Sequence, residues 1–241
     1  MRNICDLHGH FLPEMDDGCK TVQESVQVLQ SSYEQGISCV FATPHYYPVE
    51  SVGDFLERRQ AAYELLINHV ADCHIEIPEI CLGAEVAYRA GISMEAELDK
   101  LCLGNSRYLL LEMPFRRWDS AVVRDLQIIC STRNITPVLA HIERYLDLQT
   151  RDSLSSVLEL DVLAQINAGA FLRFGSRRTA AKLLKNGIAQ LLGSDCHNMT
   201  TRPPNLGLAL DYLQKHGKKD ILESVGIFSM QIFTEACAER E

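Results

Sequence analysis

The 241-residue sequence has no long apolar run, no paired-cysteine motif and no basic stretch. Nowhere do 18 apolar residues follow one another, so we expect no membrane-spanning helix, and the acidic Asp6 lies where a signal peptide would need its apolar segment. The nine cysteines are an odd number without a C-x-x-C pair, which argues against a zinc ribbon or a redox motif. The sequence therefore predicts a reduced, cytoplasmic protein without membrane insertion.

Acidic residues outnumber basic ones, 32 against 23, which gives a formal net charge of -9. Because no run of lysines or arginines supplies a basic stripe, we do not expect a nucleic-acid partner. An anionic substrate is still compatible with this composition, since bound metal ions can reverse the charge of a pocket.

Short β-rich runs alternate with helical segments along the whole chain. Seven runs are predicted as strands, at residues 3–7, 37–43, 80–86, 108–113, 136–142, 162–167 and 188–193. Apolar residues recur at helical spacing over 22–33 and over 54–70. The first of these stretches is followed by Gly36, which is typical of a helix C-terminus. Strands that alternate with helices pair in parallel through right-handed crossovers. We therefore predict one α/β domain over residues 1–241, and seven such units favour a barrel.

Six of the seven predicted strands end in a residue type that binds metal ions. These residues are His8 and His10 in D-L-H-G-H, His45 in A-T-P-H, Glu85 in G-A-E, Glu112 in L-L-L-E-M-P, His141 in L-A-H-I-E-R-Y, and Asp195 and His197 in G-S-D-C-H. The other three histidines, His69, His74 and His216, lie in or beside predicted helices. Because parallel barrels place their chemistry at the carboxyl ends of the strands, the sequence predicts one metal centre there.

Each of these residues taken alone has a simpler interpretation. A single histidine at a strand end is more often hydrogen-bonded than metal-bound, so the prediction depends on the whole set. His8 and His10 face the same way in an extended chain and can reach one ion. Glu85 and Glu112 follow apolar runs, and buried carboxylates need a cation. Asp17 is ambiguous, because Asp-Gly is also typical of a turn.

Two arginines, Arg144 and Arg202, follow predicted ligands by a few residues. A guanidinium offers a fork of donors that suits a phosphate group. A solvated surface arginine is the alternative interpretation of each.

These residues, in this order, resemble the polymerase and histidinol phosphatase (PHP) superfamily. The motifs D-L-H-G-H, D-D-G, H-I-E-R-Y and S-D-x-H-N with R-P-P are most similar to bacterial PHP-type protein tyrosine phosphatases of capsule and exopolysaccharide operons. The resemblance covers nearly the whole chain. It implies a distorted (β/α)₇ barrel with three divalent metal ions, manganese first and iron or zinc as alternatives.

The resemblance also assigns roles. It implies three ligand groups: His8, His10, Glu85 and Asp195 on one ion; Glu85, Glu112 and His141 on a second; and Asp17, His45 and His197 on a third. It implies that Arg144 and Arg202 bind the phosphate, and we expect Asp17, Arg144 and Arg202 to be catalytic. Tyr46 and Arg116, which the resemblance does not assign, are expected as further substrate contacts. The loops at Tyr46-Tyr47 and Arg116-Trp118 do not match the family. Tyr46, Tyr47, Phe115 and Trp118 are candidates for an aromatic slot, with core packing as the alternative.

The implied activity is hydrolysis of phosphotyrosine by hydroxide, formed from a water whose pKa a bound metal lowers from about 15.7 to about 7. Metals and arginines would spread the charge that develops on the phosphoryl group, so no covalent phosphoenzyme is required. The implied substrate is the tyrosine-rich tail of a bacterial tyrosine kinase that controls capsule or exopolysaccharide synthesis.

Three alternatives stay open at this stage. Cys196 and Arg202 have the C-x₅-R spacing of cysteine-dependent phosphatases, although the loop lacks glycine and continues into Pro203 and Pro204, which have no N–H to offer a phosphate. The same metal centre could serve histidinol phosphate, another small phosphomonoester or a nucleic-acid end. A barrel that binds a partner without turnover is the third alternative.

Overall fold

A computed structural model describes residues 2–238 of the chain. Within them lie nine parallel strands and eight α-helices. The strands are β1 (Arg2–Asp6), β2 (Ile37–Ala42), β3 (His45–Tyr46), β4 (Glu79–Leu82), β5 (Glu85–Ala87), β6 (Tyr108–Glu112), β7 (Thr136–Leu139), β8 (Leu163–Asn167) and β9 (Leu191–Gly193). The helices are α1 (Val22–Glu34), α2 (Val52–Cys73), α3 (Ser120–Arg133), α4 (Arg151–Leu158), α5 (Gly169–Leu172), α6 (Arg177–Lys185), α7 (Leu206–Lys215) and α8 (Lys219–Cys237). Short 3₁₀ helices lie at Ile92–Met94, Leu98–Leu101, Ile142–Arg144 and Leu146–Leu148.

The strands pair in the orders β1-β2-β4 and β3-β5-β6-β7-β8-β9. Only two residues separate β2 from β3 and β4 from β5, so each pair continues along one line. The two sheets therefore form one curved sheet with seven strand positions, which we call the wall. The prediction of a single strand over 80–86 is wrong at Gly83, where the wall bends, and the sequence analysis missed the short strand β3. Pro44, which has no N–H to donate to a neighbour, separates β2 from β3.

The wall closes at the carboxyl ends of its first and last strands. Gly9 and Cys196 form an isolated parallel bridge, in which the backbone N–H of His10 donates to the carbonyl of Cys196 at 2.8 Å. The buried carboxylate of Asp6 accepts the N–H of Ser194 at 2.8 Å. The predicted distorted (β/α)₇ barrel is therefore confirmed, and its closure lies next to the predicted metal centre.

Both predicted helices are present with their expected ends. Thr21 caps α1 through the N–H of Glu24, and Gly36 follows the helix with φ 83°, a backbone conformation that glycine adopts without strain. The segment predicted over 54–70 is α2, whose fully buried side chains include Phe55 and Leu66. No helix within residues 2–238 is long and apolar enough to cross a membrane.

The last helix, α8, packs against the sheet with Ile232, Phe233 and Ala236 buried. These side chains belong to a cluster that also contains Phe41, whose ring meets that of Phe233 edge-on at 5.6 Å. Gly226 brings α8 so close to β1 that a Cβ at this position would lie 2.6 Å from the carbonyl oxygen of Asn3.

We expect Gly226→Ala to destabilise the protein. Alanine favours a helix over glycine by about 1 kcal/mol, but overpacking against a fixed backbone costs about 1–3 kcal/mol. Gly53→Ala is the matched control, since it also lies in a helix and its Cβ would find nothing closer than Ser51 Oγ at 3.9 Å. Urea unfolding should show a loss for the first variant and none for the second, and equal stability would contradict the close packing of α8.

Candidate metal centre

Four histidines converge on the carboxylate of Glu85, which begins β5 and is almost completely buried. Its Oε2 lies 3.1 Å from Nε2 of His8, 3.1 Å from Nε2 of His10 and 3.2 Å from Nδ1 of His45. Its Oε1 lies 3.0 Å from Nε2 of His141. The curvature of the wall thus brings histidines from three separate parts of the chain to one carboxylate.

The other predicted ligands surround this centre. Oδ1 of Asp17 lies 3.3 Å from Nε2 of His197 and 3.6 Å from Nε2 of His45. Oε1 of Glu112 lies 3.6 Å from Nε2 of His141. Asp195, the remaining predicted ligand, places Oδ1 3.5 Å from Nε2 of His8.

Three groups of these side chains have ligand atoms within 4.8 Å of one another. They are His8, His10 and Glu85; His45, Glu85 and Glu112; and His10, Asp17, His45 and His197. The groups resemble the three predicted ligand sets, except that His10 and His45 each belong to two groups. His141 and Asp195 contact members of the groups without belonging to one.

The protonation of His8 and His10 shows that this cluster fits a cation. Nδ1 of His8 donates to Oε1 of Gln165 at 3.2 Å, and Nδ1 of His10 donates to Oδ2 of Asp16 at 2.7 Å. In the neutral rings both Nε2 atoms then carry lone pairs, and they lie 3.0 Å apart. Two lone pairs at this distance repel unless a positive charge lies near them, so the donor set suits a divalent metal ion.

The pKa shifts show the same demand for positive charge. Burial alone would lower the pKa of His10, but the carboxylates of Asp16 and Glu85 outweigh it and raise the pKa to about 10, so a proton is held where a metal is absent. Burial, together with the charge of Glu85, raises the pKa of Glu112 to about 7. Burial would also raise the pKa of Glu85, yet His8, His10 and His141 hold it well below its ordinary value.

Sequence reasoning missed the residues that orient the ligands. Gln165 Oε1 accepts from both His8 and the backbone N–H of His141, the latter at 2.9 Å. Asn167 donates to Oδ2 of Asp195 at 2.7 Å and accepts from Gln165 at 3.0 Å. The two residues alternate along the otherwise apolar β8, and this period of two was the available signal. Asp16 is the first residue of the D-D-G motif, but no role was predicted for it.

Two of the predicted ligands have left-handed backbones. His141 has φ 36° and Asp195 has φ 54°, and each follows a strand of the barrel. Such conformations cost non-glycine residues about 1–2 kcal/mol each and concentrate at functional sites. The fold therefore tolerates strain where it turns these two side chains into the centre.

The two predicted phosphate-binding arginines lie beside Asp195. Nη2 of Arg144 is 2.5 Å from Oδ2 of Asp195, and Nη2 of Arg202 is 2.5 Å from Oδ1. Nη1 of Arg202 donates to Nε2 of His197 at 2.7 Å. About a third of each arginine side chain is exposed, 37% and 35%. Both guanidinium groups therefore border the opening of the cluster and remain accessible to an anion.

The structure separates the four aromatic candidates into two pairs. Tyr46 packs edge-on against Phe55 in the core, and its hydroxyl donates to the carbonyl of Glu50 at 3.1 Å. Trp118 is also buried, and its Nε1 donates to the carbonyl of Pro114 at 3.3 Å. The structure thus places both in the core, and the expectation that Tyr46 contacts the substrate needs correction.

Tyr47 and Phe115, in contrast, are exposed and stack on histidines of the cluster. The ring of Tyr47 lies 5.3 Å from that of His45, and the ring of Phe115 lies 6.3 Å from that of His141. Arg116, the other expected substrate contact, pairs with Asp119 at 2.8 Å and contacts no predicted metal ligand.

Cys196 does not have the environment of a catalytic thiolate. Burial raises the pKa of its thiol well above the ordinary value, and the charge of Asp6 raises it further. A nucleophilic cysteine needs the opposite shift. Cys196 belongs to the bridge that closes the barrel, so its C-x₅-R spacing to Arg202 does not mark a phosphate-binding loop.

The profile of the family described as "Capsular polysaccharide synthesis, CpsB/CapC" matches residues 4–231. The chain belongs to this family. Tyrosine-protein phosphatase CpsB of Streptococcus pneumoniae is 30% identical over 239 residues, which cover 91% of this chain and 94% of that protein. Tyrosine-protein phosphatase YwqE of Bacillus subtilis is 28% identical over 223 residues, which cover 88% and 84%.

Solved structures give the same fold. A structure from the work on YwqE of Bacillus subtilis and CpsB of Streptococcus pneumoniae, described as unique metal-dependent tyrosine phosphatases, superposes with a TM-score of 0.84. It covers 99% of this chain and 97% of that one at 21% identity, so it supports the fold rather than any single residue. The resemblance inferred from the motifs is thereby confirmed at the level of the family.

We expect chelation to lower the melting temperature. Ions that bind only the folded state stabilise it, by about 2.7 kcal/mol per site at a concentration of 100 Kd, and their removal leaves the carboxylates to repel one another. Differential scanning fluorimetry with excess EDTA should show the loss, and added Mn²⁺ should reverse it. Glu85→Gln, which removes a predicted ligand of two of the three ions, should respond less to EDTA than the wild type does; an unresponsive wild type would argue against a metal centre.

Asp16→Asn should weaken metal binding about 10- to 100-fold, because residues that orient a ligand histidine have effects of this size. Asp16 accepts from His10 and also from the backbone N–H groups of Gly18 and His45, and an asparagine amide cannot replace both carboxylate oxygens. Titration calorimetry with Mn²⁺ measures the effect, with the exposed Asp161→Asn as control. A Kd within twofold of wild type would show that Asp16 has no such role.

Proposed function

We propose that the protein is a metal-dependent protein-tyrosine phosphatase. The observation that carries this proposal is the convergence of four histidines on Glu85 next to two accessible arginines. Cations and guanidinium groups in one pocket suit a phosphate dianion even in an acidic protein. The relatives that cover most of the chain carry the same activity in their names.

We propose that the cluster holds three divalent ions, with manganese as the first candidate and iron or zinc as alternatives. We assign His8, His10, Glu85 and Asp195 to one ion; Glu85, Glu112 and His141 to a second; and Asp17, His45 and His197 to a third. The contacts described above support this allocation. When bound at these residues, divalent ions would lower the pKa of a coordinated water and neutralise charge on the phosphoryl group.

Arg144 and Arg202 bind the phosphate in this proposal. Both contact Asp195 in the absence of a ligand, and the resident ions would take over the neutralisation of that carboxylate. The guanidinium groups can then donate to the equatorial oxygens of the phosphoryl group as their charge increases. Asp17, about two-thirds exposed, extends over the opening from the side of His197.

Tyr47 and Phe115 give the site its preference for an aromatic phosphate ester. Each ring stacks on a histidine of the cluster and leaves about half its surface to the solvent, 48% and 58% exposed. Tyr47 and Phe115 are thus the two members of the predicted aromatic slot that remain available to a phenyl ring, whereas Tyr46 and Trp118 are buried. A phenolate leaving group, whose conjugate acid has a pKa of about 10, needs less help from a general acid than an alkoxide does.

We further propose that the substrate is the phosphotyrosine tail of a bacterial tyrosine kinase that acts in capsule or exopolysaccharide synthesis. The family description supports this context. The reaction would take place in the cytoplasm, where such a tail and a reduced, cysteine-rich protein would meet.

The test compares substrates and variants with added Mn²⁺. We expect release of phosphate from a phosphotyrosine peptide and little from histidinol phosphate, because an alkyl ester gains nothing from the two rings. Arg144→Ala and Arg202→Ala should each lower kcat/KM about 100-fold or more. Cys196→Ser is the control and should keep near-normal activity. A preference for histidinol phosphate, or a Cys196→Ser variant that binds metal but has no activity, would overturn the proposal.

A further inference from the structure

In one segment of this acidic protein every charged residue is basic. Between positions 162 and 194 the chain has no Asp or Glu and five basic residues: Arg173, Arg177, Arg178, Lys182 and Lys185. They lie on α6 and on the turn that precedes it. The ion pairs within residues 2–238 include none of them. Five positive charges thus remain without a carboxylate partner in a chain of net charge -9.

The turn before α6 belongs to the loop after β8, on the face of the barrel that carries the metal centre. It follows the carboxyl end of β8, where Asn167 donates to Asp195, and α5 begins two residues later. Gly169 in α5 adjoins Asn205, whose Nδ2 would be 3.5 Å from a Cβ at the glycine. Asn205 comes three residues after Arg202. The short helix α5, which leads into the turn, therefore packs beside the segment that follows Arg202.

Exposed apolar side chains accompany the charges. Phe174 is 81% exposed, and the guanidinium of Arg177 lies 4.4 Å from the centre of its ring. Leu172 is 46% exposed. Aromatic contact in place of an ion pair keeps the charge of Arg177 available for a ligand. We call Leu172, Arg173, Phe174, Arg177 and Arg178 the docking patch.

We propose that the docking patch binds an acidic stretch of the substrate polypeptide, either Asp and Glu residues or further phosphotyrosines, that flanks the phosphotyrosine in the metal centre. This inference rests on the proposed phosphatase activity. An extended peptide covers about 3.3 Å per residue, so residues that flank a bound phosphotyrosine pass over the rim. The patch is complementary to such a stretch in charge, and Leu172 and Phe174 offer contacts for its side chains.

A membrane surface fits the patch less well. Helices that lie on membranes expose a continuous apolar face, whereas the apolar residues of α6 are buried in the protein. Ala180, Leu183 and Leu184 form this buried face. Two exposed apolar side chains give little insertion into a bilayer, while anionic peptide binding requires only the charges that the patch provides.

The test pairs two double variants that remove the same charge. Arg173→Gln/Arg178→Gln changes the docking patch, and Lys182→Gln/Lys185→Gln changes α6 further from the rim. The substrates are p-nitrophenyl phosphate, a phosphotyrosine peptide flanked by glutamates, and the same peptide with serines in their place. We expect the first variant to raise KM for the glutamate peptide about 3- to 30-fold at low salt, with kcat unchanged. The other two substrates and the control variant should change less than twofold.

The outcomes separate the two proposals. If wild-type protein with Mn²⁺ hydrolyses none of the substrates, the phosphatase assignment fails, and the docking patch is judged from the Kd of a fluorescein-labelled glutamate peptide. If hydrolysis occurs but the first variant keeps its KM for the glutamate peptide, the docking patch is overturned. An equal rise in KM in both variants would indicate general electrostatic steering, which also overturns it. Lost binding to phosphatidylglycerol vesicles with an unchanged peptide KM would assign the patch to a membrane surface instead.

Discussion

The arrangement of the whole site depends on one buried carboxylate. Glu85 lies at the start of β5, directly after the bend at Gly83, and four histidines from other parts of the wall lie about 3 Å from its two oxygens. A buried carboxylate must be paired, and His8 and His10, whose Nδ1 atoms are already engaged, direct Nε2 lone pairs toward it that suit a cation. This single requirement explains the burial of the ligands and the polar residues on β8.

The net charge of the site depends on whether cations are bound. The two arginines pair with Asp195, and the carboxylates of Asp16 and Glu85 raise the pKa of His10, so the cluster favours positive charge. A pocket that is balanced in this way becomes positive once cations bind, because Arg144 and Arg202 keep their charge. An acidic protein can thereby attract a phosphate dianion at one face.

The loops determine what the barrel can select. Tyr47 and Phe115 come from the segments after β3 and β6, and both stack on histidines that face Glu85. Their neighbours in sequence, Tyr46 and Trp118, are buried and anchor the same loops. One aromatic residue in each loop therefore fixes the backbone while the other reaches the opening. The barrel supplies the metal-binding chemistry, and these loops supply the shape of the substrate pocket.

The sequence alone determined the alternation of strands and helices and the residue types at the strand ends, because both follow from local periodicity and from the need of parallel strands to share a carboxyl face. It could not show which tyrosine faces the solvent, since Tyr46 and Tyr47 differ by one residue and only the pairing of β3 with β5 fixes the side that each takes. Nor could it show that Gln165 and Asn167 orient His8 and Asp195 across the barrel. Those contacts join residues far apart in sequence, so only the closed wall brings them within hydrogen-bond distance.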